Sequence, residues 1–350
     1  VRRRRGPGNP EGVPRSIGRG PGNPEGVPRS IGRGPGNPEG VPRRIRGLAW
    51  ITALGLVAAL AAGLVVASDP RRPATAQEAP AVTVQKAHAG SATPTLKRRI
   101  VLLTIGSDAG APKFGRGGTM ESGRADALQL VVLDPVKRRG VVVSFPRDSY
   151  VPIPGHGANK INAAMALGGP RLLVATFEQL TGLTIDYYAL TSFDGLTDIV
   201  NKVGKITVNV DMNLRDQFAG AFLDKGRQNL SGSQALAYAR ARKTLPGGDF
   251  DRSRHQGQLL LGGLATFQRQ VAEDPARVMT WLGVLRDEVK TDVPFPELLR
   301  LALLATKVPP GNVRNVPVPS VAGSAGGASV VRLLPGAYTL FGRLRAGNLG

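Results

Sequence analysis

The sequence predicts an α/β fold: an α/β/α sandwich with a mixed central sheet over residues 98–350, preceded by one N-terminal transmembrane helix. Three observations predict it. From residue 100 onward, short apolar runs of strand length alternate with longer segments of helical spacing. Turn chemistry built on Gly, Pro and Asp separates them. Ahead of them, residues 47–67 form a 21-residue stretch without a charge.

The first 46 residues are a repeat: GPGNPEGVPRSIGR at 6–19 recurs at 20–33 and, altered at its end, at 34–47. A unit this rich in Gly and Pro buries nothing apolar, so 1–46 is expected to be a disordered tail. The 47–67 segment (GLAWITALGLVAALAAGLVVA) is long enough as a helix, at ~1.5 Å per residue, to cross a hydrocarbon core of about 30 Å. Arg43, Arg44 and Arg46 stand before it and Asp69 after it, which places the tail in the cytoplasm and the bulk of the chain outside a cell membrane crossed once. A cleaved signal peptide is the rival reading, and it too exports the domain. Residues 68–97, rich in Pro, Ala and Thr, make a linker.

Within the domain, 100–105, 128–133 and 140–145 read as buried strands, the last two joined by the turn Asp134-Pro135-Val136-Lys137. Residues 162–167 and 169–180 have helical spacing, broken at Gly168-Gly169-Pro170. Residues 205–210 alternate as a strand. Ser231 and Gln234 have capping-box spacing and open a helix through about Ala239, and helices are expected over 252–272 and 275–289.

Lys and Arg total 46 against 25 Asp and Glu, a net charge of +21, of which the 11 Arg and 3 Glu of the first 46 residues account for +8. Such a balance favours phosphate-rich partners, whether nucleic acid, anionic lipid or phosphorylated glycan. There is no cysteine, so neither a disulfide framework nor a thiolate zinc site is available.

Four polar clusters interrupt the apolar framework. Asp108 ends one strand and Asp126, after Arg124, begins another. Carboxylates at strand ends suit a hard divalent cation, though turn and cap roles account for them equally well. Arg147-Asp148 follows Pro146 at the exit of a strand, as a site or as a surface ion pair. Lys160 is placed at a helix start, where a cation is unfavourable unless an anion binds beside it. The densest cluster runs from Tyr238 through Arg240, Arg242 and Lys243 to Gly247-Gly248-Asp249-Phe250-Asp251-Arg252, and on to His255 and Gln256. Arginines framed by Tyr, Phe and Gly favour bidentate phosphate contacts over a solvated basic edge.

At these residues the chain resembles the LytR-CpsA-Psr family of cell-wall glycopolymer ligases. The resemblance rests on GSD at 106–108, R-x-D at 124–126, SFPRDSYVPIPGHGANKINAA at 144–164, ALGGPRLL, TGLTIDYYALTSFDG and LSGSQALAYARARKTLPGGDFDRSRHQ. It implies an exported enzyme that moves a glycan phosphate from undecaprenyl pyrophosphate to a peptidoglycan hydroxyl, usually the 6-hydroxyl of N-acetylmuramic acid. It implies Asp108 and Asp126 at Mg²⁺ or Mn²⁺. At the pyrophosphate it implies Arg124, Arg147, Arg240, Arg242, Arg252 and Gln256, with Lys160 nearby. Asp148 and Asp251 are candidates to take the acceptor's proton. Ala125, Phe145 and His255 depart from the family's usual residues, and 108–126 is longer and richer in glycine. Segments 171–180 and 259–267 are candidates for a lipid slot or for core. A lipid-linked pyrophosphatase and a membrane-bound regulator are the competing classes. A span between the basic tail and the domain opposes a nucleic-acid partner, and no helix-turn-helix signature is present.

Overall fold

A computed structural model describes residues 98–115 and 117–349; the repeat tail, the 47–67 span and the 68–97 linker lie outside the described residues. Along the chain run β1 (Ile100–Ser107), β2 (Ala125–Asp134), β3 (Arg139–Phe145), β4 (Tyr150–Ile153), β5 (Gly157–Lys160), α1 (Ala163–Thr181), β6 (Tyr187–Ser192) and α2 (Phe193–Val203). Then follow β7 (Ile206–Val210), β8 (Leu214–Asp216), β9 (Ala221–Leu223), β10 (Gly226–Leu230), α3 (Gly232–Arg240), α4 (Asp249–Glu273) and α5 (Arg277–Glu288). The chain closes with β11 (Lys290–Thr291), α6 (Phe295–Ala305), β12 (Val313–Pro317), β13 (Ser320–Ala325), β14 (Ala328–Leu333) and α7 (Pro335–Arg345). Among the described residues no helix is long and apolar enough to cross a membrane.

The central sheet is mixed, in the order β11-β6-β1-β2-β3-β12. β1, β2 and β3 pair antiparallel in sequence, while β6 and β12 join parallel to β1 and β3. Strand alternation sends Val101, Leu103 and Ile105 to one face, where with Leu128, Leu130, Val143 and Phe145 they meet Leu173 and Phe177 of α1 and Phe341 and Leu344 of α7. Ile100, Val131, Leu133 and Val142 point the other way, against Leu260, Leu261 and Leu264 of α4 and Leu301 and Leu304 of α6. Helices therefore cover both faces, as the alternating pattern implied.

A second core lies beside the sheet. It gathers β7–β10, α2, α3 and α5 around Val208, Leu214, Tyr238 and Trp281, with Leu259 and Phe267 of α4. One helix thus serves two cores. It can do so because it comes very close to both: a Cβ on Gly257 would collide with Ser144 and Asn315 of the sheet, and one on Gly262 would stand 2.6 Å from the carbonyl of Thr207.

The expected local signals are present. Ser231 and Gln234 form a complete capping box at α3. α1 breaks at Gly168-Gly169, where Gly169 has φ +66°. Leu173 and Phe177 of segment 171–180, and Leu259 and Phe267 of 259–267, are buried core residues, the second of the two readings left open for those segments.

Candidate active site

β1 and β2 stay in register to Gly106 opposite Ala127, and then Ser107 pairs with Ala125. Asp126 is the extra residue of this bulge, which lifts it out of the ladder and re-aims its side chain. Beside it, the Asp108 amide donates to the Arg124 carbonyl at 3.1 Å, and the Arg124 amide donates to Asp108 Oδ1 at 2.8 Å. Gly123 permits this close turn, since a Cβ there would lie 2.5 Å from Ala109 and 2.7 Å from Ser107 Oγ. The two carboxylates therefore share one end of neighbouring strands. The Arg124 side chain is exposed and forms no ion pair among the described residues.

At the same end, β3 runs out through Pro146. Ser149 Oγ donates to the Pro146 carbonyl at 2.7 Å, and the Asn162 amide donates to that of Arg147 at 3.2 Å, so the turn is held on both sides. Arg147 Nη1 lies 2.5 Å from Asp126 Oδ1. Burial pulls this guanidinium down, but Asp126, helped by Asp148 and Asp249, outweighs burial and holds Arg147 above its ordinary value. Lys160 pairs with Asp148 at 3.5 Å. The expected helix-start position of Lys160 is corrected: it ends β5, opposite Tyr150, ahead of α1. A short hairpin, invisible as hydrophobic alternation because GANK is polar, carries it.

The third contribution comes from α3 and α4. Arg240 closes α3 with its guanidinium 5.1 Å above the ring of Phe193. The chain then leaves in extended form at Ala241 (φ −57°, ψ 128°). Buried Asp216 fixes that exit, accepting the amides of Arg242 and Lys243 at 2.8 Å each and those of Phe218 and Ala219 at 3.0 and 3.1 Å. Burial would raise this carboxyl, yet the four amides win and hold it below the usual carboxylate range. Arg242 Nη1 and Arg252 Nη2 both stand 3.3 Å from Asp249 Oδ1. Burial, with the charges of Arg147 and Arg242 added to it, holds Arg252 below its ordinary value against the pull of Asp249 and Asp126. Arg242 and Arg252 thus share one carboxylate, and Arg147, paired with Asp126, adds its charge to theirs.

Other residues of the cluster are tied elsewhere. Gln256 is buried. Its Nε2 donates to the carbonyls of Asp126 and Ala239, at 3.2 and 3.1 Å, and its Oε1 accepts from Gln129 at 3.2 Å. It clamps β2, α3 and α4 together beneath the arginines, and its amide has no donor left for a phosphate. Asp251 accepts the Gly247 amide at 2.8 Å and pairs with Arg254 at 2.9 Å, which fits the role of a cap on the Gly-Gly turn. His255 is fully buried, stacked on Tyr238 at 4.4 Å, and is not positioned for a phosphate contact. The residue that sequence reasoning missed is Asp249. Its signal was an acid one helical turn before Arg252, a spacing that ordinarily marks a surface pair.

A divalent cation fits this chemistry in a particular way. Asp108 and Asp126 offer hard oxygen donors, and the described residues hold no cluster of three or more His, Cys, Asp or Glu. Such a site suits Mg²⁺ or Mn²⁺ completed by substrate oxygens and water, and does not suit a protein-caged zinc.

Comparison with known proteins decides the family. The LytR_cpsA_psr family model matches residues 71–335. The chain belongs to the LytR_cpsA_psr family. A polyisoprenyl-teichoic acid–peptidoglycan teichoic acid transferase TagU of Bacillus mycoides (strain KBAB4) is 40% identical over 141 residues, 40% of this chain and 46% of that protein. The chain thus spans about half the length of that relative. The TagU of Enterococcus faecalis (strain ATCC 700802 / V583) is 30% identical over 223 residues, 63% of this chain and 70% of that protein. The crystal structure of B. subtilis TagV superposes with a TM-score of 0.61 at 26% identity, over 72% of this chain and 98% of that one. As a LytR_cpsA_psr member, the chain carries its motif residues at one end of strands β1, β2 and β3, on the exit of α3 and in the first turn of α4.

Proposed function

We propose that this chain transfers a glycopolymer phosphate from a polyprenyl pyrophosphate, undecaprenyl pyrophosphate in the first instance, to a hydroxyl of peptidoglycan or another cell-wall glycan. The observation that carries the reading is the convergence of Arg242 and Arg252 on one carboxylate oxygen, with Arg147 paired to Asp126 close enough to add its charge, at positions matched by the family. A carboxylate held by several arginines occupies the place an anionic phosphate would take. The names of the TagU relatives, which join a polyisoprenyl-linked teichoic acid to peptidoglycan, support the donor and acceptor classes.

In this reading the arginines neutralise the pyrophosphate oxygens as negative charge shifts toward the leaving group, which is the main demand of phosphoryl transfer on a protein. The acceptor oxygen bonds to the phosphorus that carries the glycan. The bridging P–O bond breaks with its electron pair, and polyprenyl phosphate leaves. Asp148, beside Arg147 and Lys160, is the better candidate to take the hydroxyl proton, because both oxygens of Asp251 are already engaged. Asp108 and Asp126 would hold Mg²⁺ or Mn²⁺, which supplies further neutralisation at the phosphate oxygens when bound. The orientation expected from residues 43–67 puts this site on the outer side of the membrane, where both substrates reside.

The test is to incubate the full chain with a polyprenyl-pyrophosphoryl sugar, with and without peptidoglycan oligomers. Acceptor-dependent formation of a phosphodiester supports transfer. Equal release of lipid phosphate in both arms marks hydrolysis and overturns it.

A further inference from the structure

The β8–β9 hairpin carries two large aromatic residues in water. Phe218, in its turn, is 67% exposed and Phe222, on β9, is 63% exposed. Both strands alternate strictly: Leu214, Asp216, Ala221 and Leu223 are buried, while Arg215 and its cross-strand partner Phe222 face outward. Lys243 reaches over the Phe218 ring at 5.3 Å. Lys225 and Arg227, just past β9, are exposed as well, and the one exposed carboxylate of this stretch, Asp224, is paired with Arg215. The hairpin is therefore aromatic at and beside its turn, with Lys243 over the ring there and Lys225 and Arg227 exposed past its open end. Burying these rings in the protein would have been the ordinary outcome, so their exposure calls for a partner.

We infer that this hairpin docks on an anionic bilayer surface, with Phe218 and Phe222 at headgroup depth and Lys243, Lys225 and Arg227 on the phosphates. Aromatic rings flanked by Lys and Arg are the combination that settles at a membrane interface. The charge excess complements anionic headgroups, and rings this exposed protrude from the surface and do not line the cleft a sugar would need. The hairpin is also fastened to the candidate active site. Asp216 binds the amides of Phe218 and Ala219 in the turn and of Arg242 and Lys243 at the site, so one buried carboxylate joins the two. Docking at the tip brings Arg242 toward the depth at which a lipid-linked pyrophosphate lies. The inference rests on the lipid-linked donor proposed above, but its test reads membrane depth without turnover, so the two ideas fail separately.

The chain has no cysteine, so single labels can be placed cleanly. Full-length Phe218→Cys, Phe222→Cys and, as control, Val136→Cys proteins would carry an environment-sensitive dye in nanodiscs of anionic or neutral lipid. Val136 is 66% exposed in the turn at the far end of β2 and β3. Labels at 218 and 222 should shift to the blue and be quenched by nitroxide lipids in anionic discs, with the 136 label unchanged. Adding Lys243→Ser should lower the ratio of docked to undocked protein about fivefold, in line with one basic residue near such a surface. Labels at 218 and 222 that remain as open to aqueous iodide as the 136 label would overturn the proposal. A response to soluble peptidoglycan fragments with none to anionic lipid would also overturn it, and would assign the tip to the acceptor glycan.

Discussion

Arg242, on the extended exit of α3, and Arg252, one turn into α4, place a nitrogen each at 3.3 Å from the same oxygen of Asp249. Two guanidinium groups on one oxygen atom, with Arg147 close enough to add its charge, form a prearranged anion site that carries its own anion.

If that site takes the pyrophosphate, Arg147→Ala, Arg242→Ala and Arg252→Ala should each weaken transfer about ten- to a hundredfold, the loss of a charge-assisted bond of about 1.5–3 kcal/mol. Lysine at the same positions should restore only part, because a point charge cannot reproduce a planar fork. Arg138, in the β2–β3 turn, is the control. Equal losses there would mean that bulk charge explains the arginines.

Asp249→Asn should tighten binding of inorganic pyrophosphate, by roughly tenfold, since the ligand no longer displaces an internal carboxylate. Titration calorimetry on the full chain measures this. Weaker binding would show that Asp249 orients the arginines and does not compete for them.

Asp108→Ala and Asp126→Ala should each remove most turnover together with its dependence on added divalent cation, while thermal unfolding changes little for Asp108→Ala. Asp126→Ala also strips Arg147 of its partner and should lower stability slightly more. Full activity of either variant in chelator would end the metal assignment for that residue.

His255 sets an acid limit. Burial, joined by the charge of Arg254 and opposed by Asp251, pushes its imidazole down to about 4 from 6.5. Its Nε2 faces Asp211 Oδ1 at 3.4 Å, and neither His255 nitrogen is hydrogen-bonded. The unfolded chain takes up this proton first as pH falls, so stability is greatest above about pH 6.5 and declines between there and pH 4. A shift of this size corresponds to roughly 3 kcal/mol. His255→Phe should flatten the decline in denaturant unfolding followed across that window, and an unchanged slope would place the acid sensitivity elsewhere.

Much of this architecture was legible because it was local. The apolar runs at 100–105 and 128–133, the Asp134-Pro135 turn, the Ser231 capping box and the Gly168-Gly169 break each express a preference of a few neighbouring residues. β6, between β1 and the short edge strand β11, escaped notice because YYALTS reads as neither a buried run nor a clean alternation; its place is fixed by pairing with β1. The site divided in the same way. That Arg147, Arg242 and Arg252 are candidates for one cluster could be read from residue type and spacing. That Gln256 is committed to carbonyls of β2 and α3, and that Arg242 shares Asp249 with Arg252, depend on which face of α4 meets the sheet and α3. That is a tertiary fact, with no trace in the motif.

The helix that serves both cores also governs when the site comes into being. A chain made from its N-terminus forward completes β1, β2 and β3 early, with Asp126 and Arg147 already satisfying one another. Arg242 and Arg252 arrive only after β7–β10 and α3 have been made, Arg242 held by Asp216 and Arg252 on the helix that Gly257 and Gly262 let pack closely. A shortened chain ending before α4 would hold half a site, electrically quiet and without the pair that grips an anion. Under the proposed function, an unfinished copy would therefore lack its anion-binding pair until both cores have closed.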